Sequence, residues 1–283
     1  MKNERKALVL AGGGVTGVGW EIGMLAGLAD LGVNLGDADL VLGTSAGSVV
    51  GAQLTSGVPI EELYAEQLKE ASGEIPARIR TGALLRFVLA GLLPGGDQRA
   101  RIRLGRLALA AKTVPEAERI AVIEQRLPVR VWPERELLIT AVEAESGELR
   151  VFDRESGVGL VEAVAASCAV PTVWPPVTIE GRRYMDGGMR SVANADLAQG
   201  HGRVVVLAPM PATLRRSGRI SEQLATLGKH LHSAVISPDA DARAAMGRNA
   251  LDPAFRAAAA VAGRAQARTV RDAVAVAWGT PPA

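Results

Sequence analysis

Two short apolar runs near the start of the chain each break into glycines and then into residues of helical spacing. This repeated layout constrains the fold more than any other feature of the sequence. The first run, Lys6–Leu10, enters Ala11-Gly12-Gly13-Gly14-Val15-Thr16-Gly17; apolar residues then recur at helical spacing over 18–31, and Gly32 is a natural stop. The second, Leu40-Val41-Leu42, meets Gly43-Thr44-Ser45-Ala46-Gly47 and an Ala/Val/Gly-rich stretch that begins another helix. Strand, glycine loop, helix, strand is a βαβ unit, and parallel strands bring both glycine loops to one sheet edge. Only 3% of the 283 residues are aromatic while 48% are hydrophobic, so the core closes through small and aliphatic side chains, which favours helices against a parallel sheet. The same composition excludes a disordered chain.

Gly43 and Gly47 stand two residues either side of Ser45, where a sharp strand-to-helix turn would crowd any Cβ. Ser45 is the candidate nucleophile, and the helix after it would aim backbone N–H groups at an anionic intermediate. A glycine turn with Ser45 as a plain helix cap is the competing reading in a chain with 32 glycines. The first loop also has two readings, since Gly12-Gly13-Gly14-Val15-Thr16-Gly17 satisfies the dinucleotide pattern G-x-G-x-x-G as well as an oxyanion-holding loop. A dinucleotide fold wants an acid at the carboxyl end of the second strand, whereas Asp37 and Asp39 precede Leu40.

Further along, residues 58–72 read as helix, and residues 82–93 form an apolar stretch too short to span a bilayer. Residues 76–112 carry Arg78, Arg80, Arg86, Arg99, Arg101, Arg103, Arg106 and Lys112 against Asp97 alone, a net +7 in a chain of net +2. Such asymmetry predicts a basic face for an anionic partner, a lipid surface or nucleic acid; a buried helix beside a solvated basic one is the bland alternative. Hairpins are expected over residues 136–153 and 177–184, the second delivering Asp186-Gly187-Gly188 in a tight turn. A short helix capped by Asp196, a strand at Arg203–Leu207 and mostly helix from Ser221 onward complete the reading.

A serine nucleophile needs a base. Asp186, on a turn whose glycines permit close approach, is one candidate; an ordinary Asp-Gly turn is its plain reading. His201 in a Ser45, Asp186, His201 chain order would imitate a conventional triad, and His230 and His232 fall in a segment expected to be helical. Cys168, the only cysteine, permits no internal disulfide and reads as a small buried residue.

Gly12-Gly13-Gly14-x-x-Gly17, Gly43-Thr44-Ser45-Ala46-Gly47, residues 166–171 (Ala-Ser-Cys-Ala-Val-Pro) and Asp186-Gly187-Gly188 together resemble the motifs of patatin-like phospholipases in order and spacing, over about residues 5–210. The resemblance implies a three-layer α/β/α fold with a mainly parallel sheet and five to six strands over 1–210, and a helical part packed on it over 211–283. It implies a Ser45–Asp186 dyad without histidine, an oxyanion hole from Gly12, Gly13, Gly14 and Val15, chiefly Gly13 and Gly14, and no cofactor or metal. Thr16 stands where that family often has Arg or Lys, which points away from phospholipid headgroups and toward neutral glycerolipids or simple esters. Expected partners are a lipid or ester substrate and, through residues 76–112, an anionic membrane surface, with no nucleic acid. A non-catalytic lipid-binding or scaffold protein and a dinucleotide-binding oxidoreductase are the alternatives. No apolar stretch near residue 1 is long enough for a signal peptide, so a cytoplasmic protein is expected.

Overall fold

The computed structural model describes residues 4–70, 77, 81–211, 213 and 215–280. Its centre is an eight-stranded sheet in the order β5-β6-β3-β2-β1-β7-β8, with β4 pairing β3. The strands are β1 (Lys6–Leu10), β2 (Leu40–Thr44), β3 (Glu136–Glu143), β4 (Leu149–Phe152), β5 (Val177–Ile179), β6 (Arg182–Asp186), β7 (Arg203–Leu207) and β8 (His232–Ile236). Pairs β3·β2, β2·β1, β1·β7 and β7·β8 are parallel, and the β3·β4 and β5·β6 hairpins and the β3·β6 pair are antiparallel. Seven strands therefore lie within residues 1–210, more than the five to six expected. After Ser221 the chain is mostly helical, as expected, but the segment of His230 and His232 is not: residues 232–236 form the eighth strand and extend the sheet.

The central strands are buried on both faces, as a parallel sheet between helical layers requires. Leu8, Leu10, Val41, Leu137, Ile139, Val205 and Leu207 point into one core, and the alternate residues Ala7, Val9, Leu40, Leu42, Val204 and Val206 point into the other. The first core is covered by α1 (Gly14–Asp30), α2 (Ala46–Leu54), α7 (Leu160–Ser167) and α10 (Arg256–Trp278); the second by residues 192–198 and α8 (Ile220–Ala225). Helix α1 runs under α10 along a stripe of small residues: a Cβ on Gly23 would enter the Ala260 carbonyl, and Gly19 and Gly27 face Arg256 and Arg264 likewise. This close approach buries one face of α1, and α2, the helix at Ile60–Leu68 and the sheet cover the rest. Helix α1 begins at Gly14, inside the glycine loop, four residues before the sequence pattern suggested, and Gly32 at φ 77° follows its end.

Among the described residues the other helices are α3 (Ile60–Leu68), α4 (Thr81–Leu92), α5 (Gly96–Leu109), α6 (Glu116–Arg126) and α9 (Ala240–Met246). Phe87 and Ala90 of α4, with Leu104 and Ala108 of α5, pack on Val142, Met185 and Met189, so this helical hairpin sits over the end of β6. Arg78 and Arg80 of the basic segment lie outside the described residues. Arg101 and Arg103 are not wholly solvated: Arg101 donates to the Gly147 carbonyl and Arg103 to those of Ala90, Leu93 and Pro94. Asp196 caps no helix; it lies within a 3-10 turn capped by Asn194 and pairs with Arg190 at 2.6 Å. No described helix is long and apolar enough to cross a membrane.

Candidate active site

Ser45 sits at the turn between β2 and α2 with φ 53° and ψ −117°. A non-glycine residue held at such positive φ costs about 1–3 kcal/mol and persists only where its surroundings enforce it. The flanking glycines enforce it. A Cβ on Gly43 would lie 2.6 Å from the Gly47 carbonyl oxygen, and one on Gly47 would run into the Leu10 carbonyl of β1. The Ser45 peptide is pinned on both sides: its N–H donates to Ser167 Oγ at 2.8 Å, while its carbonyl accepts from Ser48 Oγ at 2.6 Å and Cys168 Sγ at 3.3 Å.

The sheet register brings Asp186 to the same place. Strand β4 pairs with residues 139–142 of β3 along one flank. On the opposite flank β2 ends with Thr44 beside Thr140, and β6 ends with Asp186 beside Ala141. Strands β2 and β6 therefore abut end to end, which brings the Ser45 side chain to the Asp186 carboxyl. The backbone after Asp186 turns at once into a 3-10 turn, Gly187–Met189, and the Gly188 N–H donates to Asp186 Oδ1 at 2.7 Å. A Cβ on Gly187 would clash with Thr140, so this tight turn against β3 needs glycine. The Asp186 N–H is held by the Ala169 carbonyl at 3.0 Å.

Burial raises the Asp186 carboxyl to about 6, and the hydrogen bonds from Ser45 and Gly188 act in the opposite sense. A carboxylate is thereby made more basic yet stays mostly ionised at neutral pH, as a general base should. Burial, with the Asp186 charge, pushes the Cys168 thiol up to about 11 despite the charges of Arg119 and Arg126, so this cysteine stays a neutral packing residue.

The first glycine loop passes over Ser45; a Cβ on Gly12 would be 3.6 Å from that of Ser45. Gly12 nevertheless drops out of the expected donor set, because its N–H donates to the Val192 carbonyl at 2.8 Å. Thr16 and Gly17 likewise spend theirs on Ala250 and Gly13. Among the described residues no acceptor takes the N–H groups of Gly13, Gly14 and Val15, and these open the first turn of α1, where the helix carries partial positive charge. Gly14, Val15, Val18, Ser45, Ala46, Arg119, Arg126, Cys168, Val170, Trp174 and Leu251 line a small cleft. Its walls Val15, Val18 and Arg126 are shared with a larger cavity of about 600 Å³ between α2, α3 and α6.

The histidines are elsewhere. His201 precedes β7, and β7 is parallel to β1 with Arg203 beside Lys6, so His201 lies at the amino ends of the strands while Ser45 lies at a carboxyl end. A five-residue strand, roughly 17 Å, separates the two edges. His232 opens β8 at the same remote edge, and His230 precedes it. Asp37 and Asp39 are also at that edge, bonded to the Lys6 ammonium and the Lys6 N–H, away from the carboxyl end of β2. Among the described residues no group of three His, Cys, Asp or Glu is arranged to hold a metal.

The family model for patatin-like phospholipases matches residues 8–198, from β1 through the turn after Asp186. The chain belongs to this family. No characterised protein matches it by sequence. Solved structures similar to it include VipD from Legionella pneumophila, with 14% identity and a TM-score of 0.47 over 96% of this chain and 67% of that one. They also include the type III effector protein ExoU, at 16% identity and a TM-score of 0.41 over 96% of this chain and 53% of that one. The patatin-like match takes in both glycine loops, Ser45 and Asp186. Sequence reasoning missed Ser167, Thr44, Thr140 and Asn194 around the site. Thr44 and Ser167 carried a signal, through their places in the 43–47 and 166–171 motifs.

Proposed function

We propose that the protein is a serine acyl hydrolase of lipid esters, phospholipase A-like, working through a Ser45–Asp186 dyad. The observation that carries this reading is the end-to-end meeting of β2 and β6, which sets Ser45, held at φ 53° on its elbow, against the buried Asp186 carboxyl. Asp186 takes the Ser45 proton as Oγ attacks the ester carbonyl carbon. The oxyanion is received by the N–H groups of Gly13 and Gly14, with Val15 beside them, preorganised donors of a kind worth about 3–4 kcal/mol each. The tetrahedral intermediate collapses, Asp186 returns its proton to the departing alkoxide, and an acyl-Ser45 ester remains. Water then attacks that ester while giving its proton to Asp186; Ser45 leaves with that proton and the free acid is released. The cleft and the connected cavity of about 600 Å³ receive the acyl chain against Val15, Val18, Val49 and Val122.

The membrane side of the reading rests on α4 and α5. Leu89, Leu92 and Leu93 are 48–66% exposed, and Arg86, Arg99 and Arg106 are exposed beside them. An apolar edge flanked by guanidinium groups suits the surface of an anionic bilayer. The test is turnover of p-nitrophenyl esters of graded chain length and of mixed-micelle glycerolipids by wild type and Ser45→Ala. Hydrolysis lost in the variant supports the reading. Liposome binding equal in both proteins, with no hydrolysis by either, would favour a non-catalytic lipid-binding protein.

A further inference from the structure

Strands β2 and β6 meet end to end without ladder bonds to each other, so the sheet alone does not set the gap between Ser45 and Asp186. One buried side chain bridges that gap. Asn194, fully buried and left-handed at φ 51°, directs its Nδ2 at four oxygens: Ser191 O at 2.8 Å, Thr44 Oγ1 at 3.1 Å, Thr140 Oγ1 at 3.2 Å and Gly187 O at 3.4 Å. The orientation of the amide is fixed by chemistry. Arg190 Nη1 donates to Asn194 Oδ1 at 2.8 Å and a guanidinium cannot accept, so oxygen faces Arg190 and nitrogen faces the four acceptors. Asp196 in turn anchors Arg190 through contacts of 2.9 and 2.6 Å. Thr44 and Thr140 also share a hydroxyl hydrogen bond of 2.8 Å.

Thr44 is the residue before Ser45, and Gly187 is the residue after Asp186. We infer that Asn194 is the positioning residue of the dyad, holding the ends of β2 and β6 in the one spacing at which the Ser45 hydroxyl meets the Asp186 carboxylate. This inference rests on the dyad reading. Its amide touches neither reacting atom and acts through the Thr44 and Thr140 hydroxyls and the Gly187 carbonyl.

The test is steady-state hydrolysis, with Ser45 labelling by a fluorophosphonate ester, on wild type, Asn194→Gly and Thr140→Val. Glycine keeps the left-handed backbone without strain, and valine removes one acceptor with little change of shape. A displacement near 1 Å costs roughly 10²-fold in rate. Asn194→Gly is therefore expected to lose about that factor in kcat and in labelling rate, and Thr140→Val about tenfold, with KM within about twofold of wild type. A second readout separates positioning from mere loss of packing. The Ser45 hydrogen bond lowers the affinity of Asp186 for its proton, so opening the gap moves the acid limb of kcat/KM to higher pH; Cys168, the neighbouring thiol, stays neutral throughout. A folded Asn194→Gly protein with wild-type kcat and an unmoved acid limb would overturn the inference, as would a Thr140→Val protein indistinguishable from wild type. A wild type that is neither labelled nor active would overturn the dyad reading, and this inference with it.

Discussion

Replacing Asp186 by Asn should make the protein more stable at alkaline pH while removing its activity, and the size of the gain follows from the site. The carboxyl is fully buried and its proton affinity rises from 3.8 to about 6, chiefly through burial. Between those values the folded chain keeps a proton that the unfolded chain has released, so stability falls as pH rises through that window and stays reduced above it. At about 1.4 kcal/mol for each tenfold change in proton affinity, the loss approaches about 3 kcal/mol at pH 8. Asparagine occupies the same space, can still accept from the Gly188 N–H, and never ionises. Urea unfolding of both proteins at about pH 4 and pH 8 reads the effect. The difference in unfolding free energy should grow in favour of Asp186→Asn by about 2–3 kcal/mol between the two conditions. A difference that does not change with pH, or that moves toward wild type at pH 8, would refute the claim that Asp186 is a buried, burial-shifted base.

The same ionisation sets the pH dependence of catalysis: kcat/KM should rise about tenfold per pH unit on the acid side, bend near pH 6 and be flat above about pH 7, measured with a soluble ester. Gly47→Ala should destabilise the fold by at least ~2 kcal/mol and remove activity, because its Cβ has no space beside the Leu10 carbonyl; thermal unfolding reports it. Glu21 is fully buried on α1 and its carboxyl is driven well above the ordinary range by desolvation, with the Ala11 peptide acting the other way. The sign is that of Asp186, so Glu21→Gln should gain stability relative to wild type as pH rises above the ordinary carboxylate range, in the same urea series, with kcat unchanged.

The first fifty residues were the most legible part of the chain because their structure is dictated locally. Gly43 answers a contact made by the turn itself and Gly47 one with β1, the strand that the same βαβ unit sets beside it, so Gly43, Ser45 and Gly47 announce their geometry within five residues. The sheet edge was legible too, since parallel strands fix which loops share it. The same rule places His201 before a parallel strand and so at the wrong edge. What escaped detection is what depends on distant partners. Strand β8 is an edge strand whose residues His232, Ser233 and Val235 are exposed, so it lacks the apolar run that marked β1, β2 and β7. Glu21 lies at a position that helical periodicity would tolerate in solvent, but it is on the side of α1 away from the glycine stripe and faces the Ala11 peptide at the end of β1, a burial that only the tertiary fold sets. The bonds of Asn194 reach residues 54 and 150 positions away, and nothing in its own neighbourhood distinguishes it.

The central claim, that Ser45 is a nucleophile activated by Asp186 without histidine, is tested most directly by intact mass after exposure to a fluorophosphonate ester. Wild type, Ser45→Ala, Asp186→Asn and His201→Ala should be compared under one set of conditions. The account predicts one adduct per chain on wild type and His201→Ala at equal rates, none on Ser45→Ala, and labelling slowed by about 10²-fold or more on Asp186→Asn. An adduct that persists in Ser45→Ala, or that disappears in His201→Ala while the protein remains folded, would contradict it.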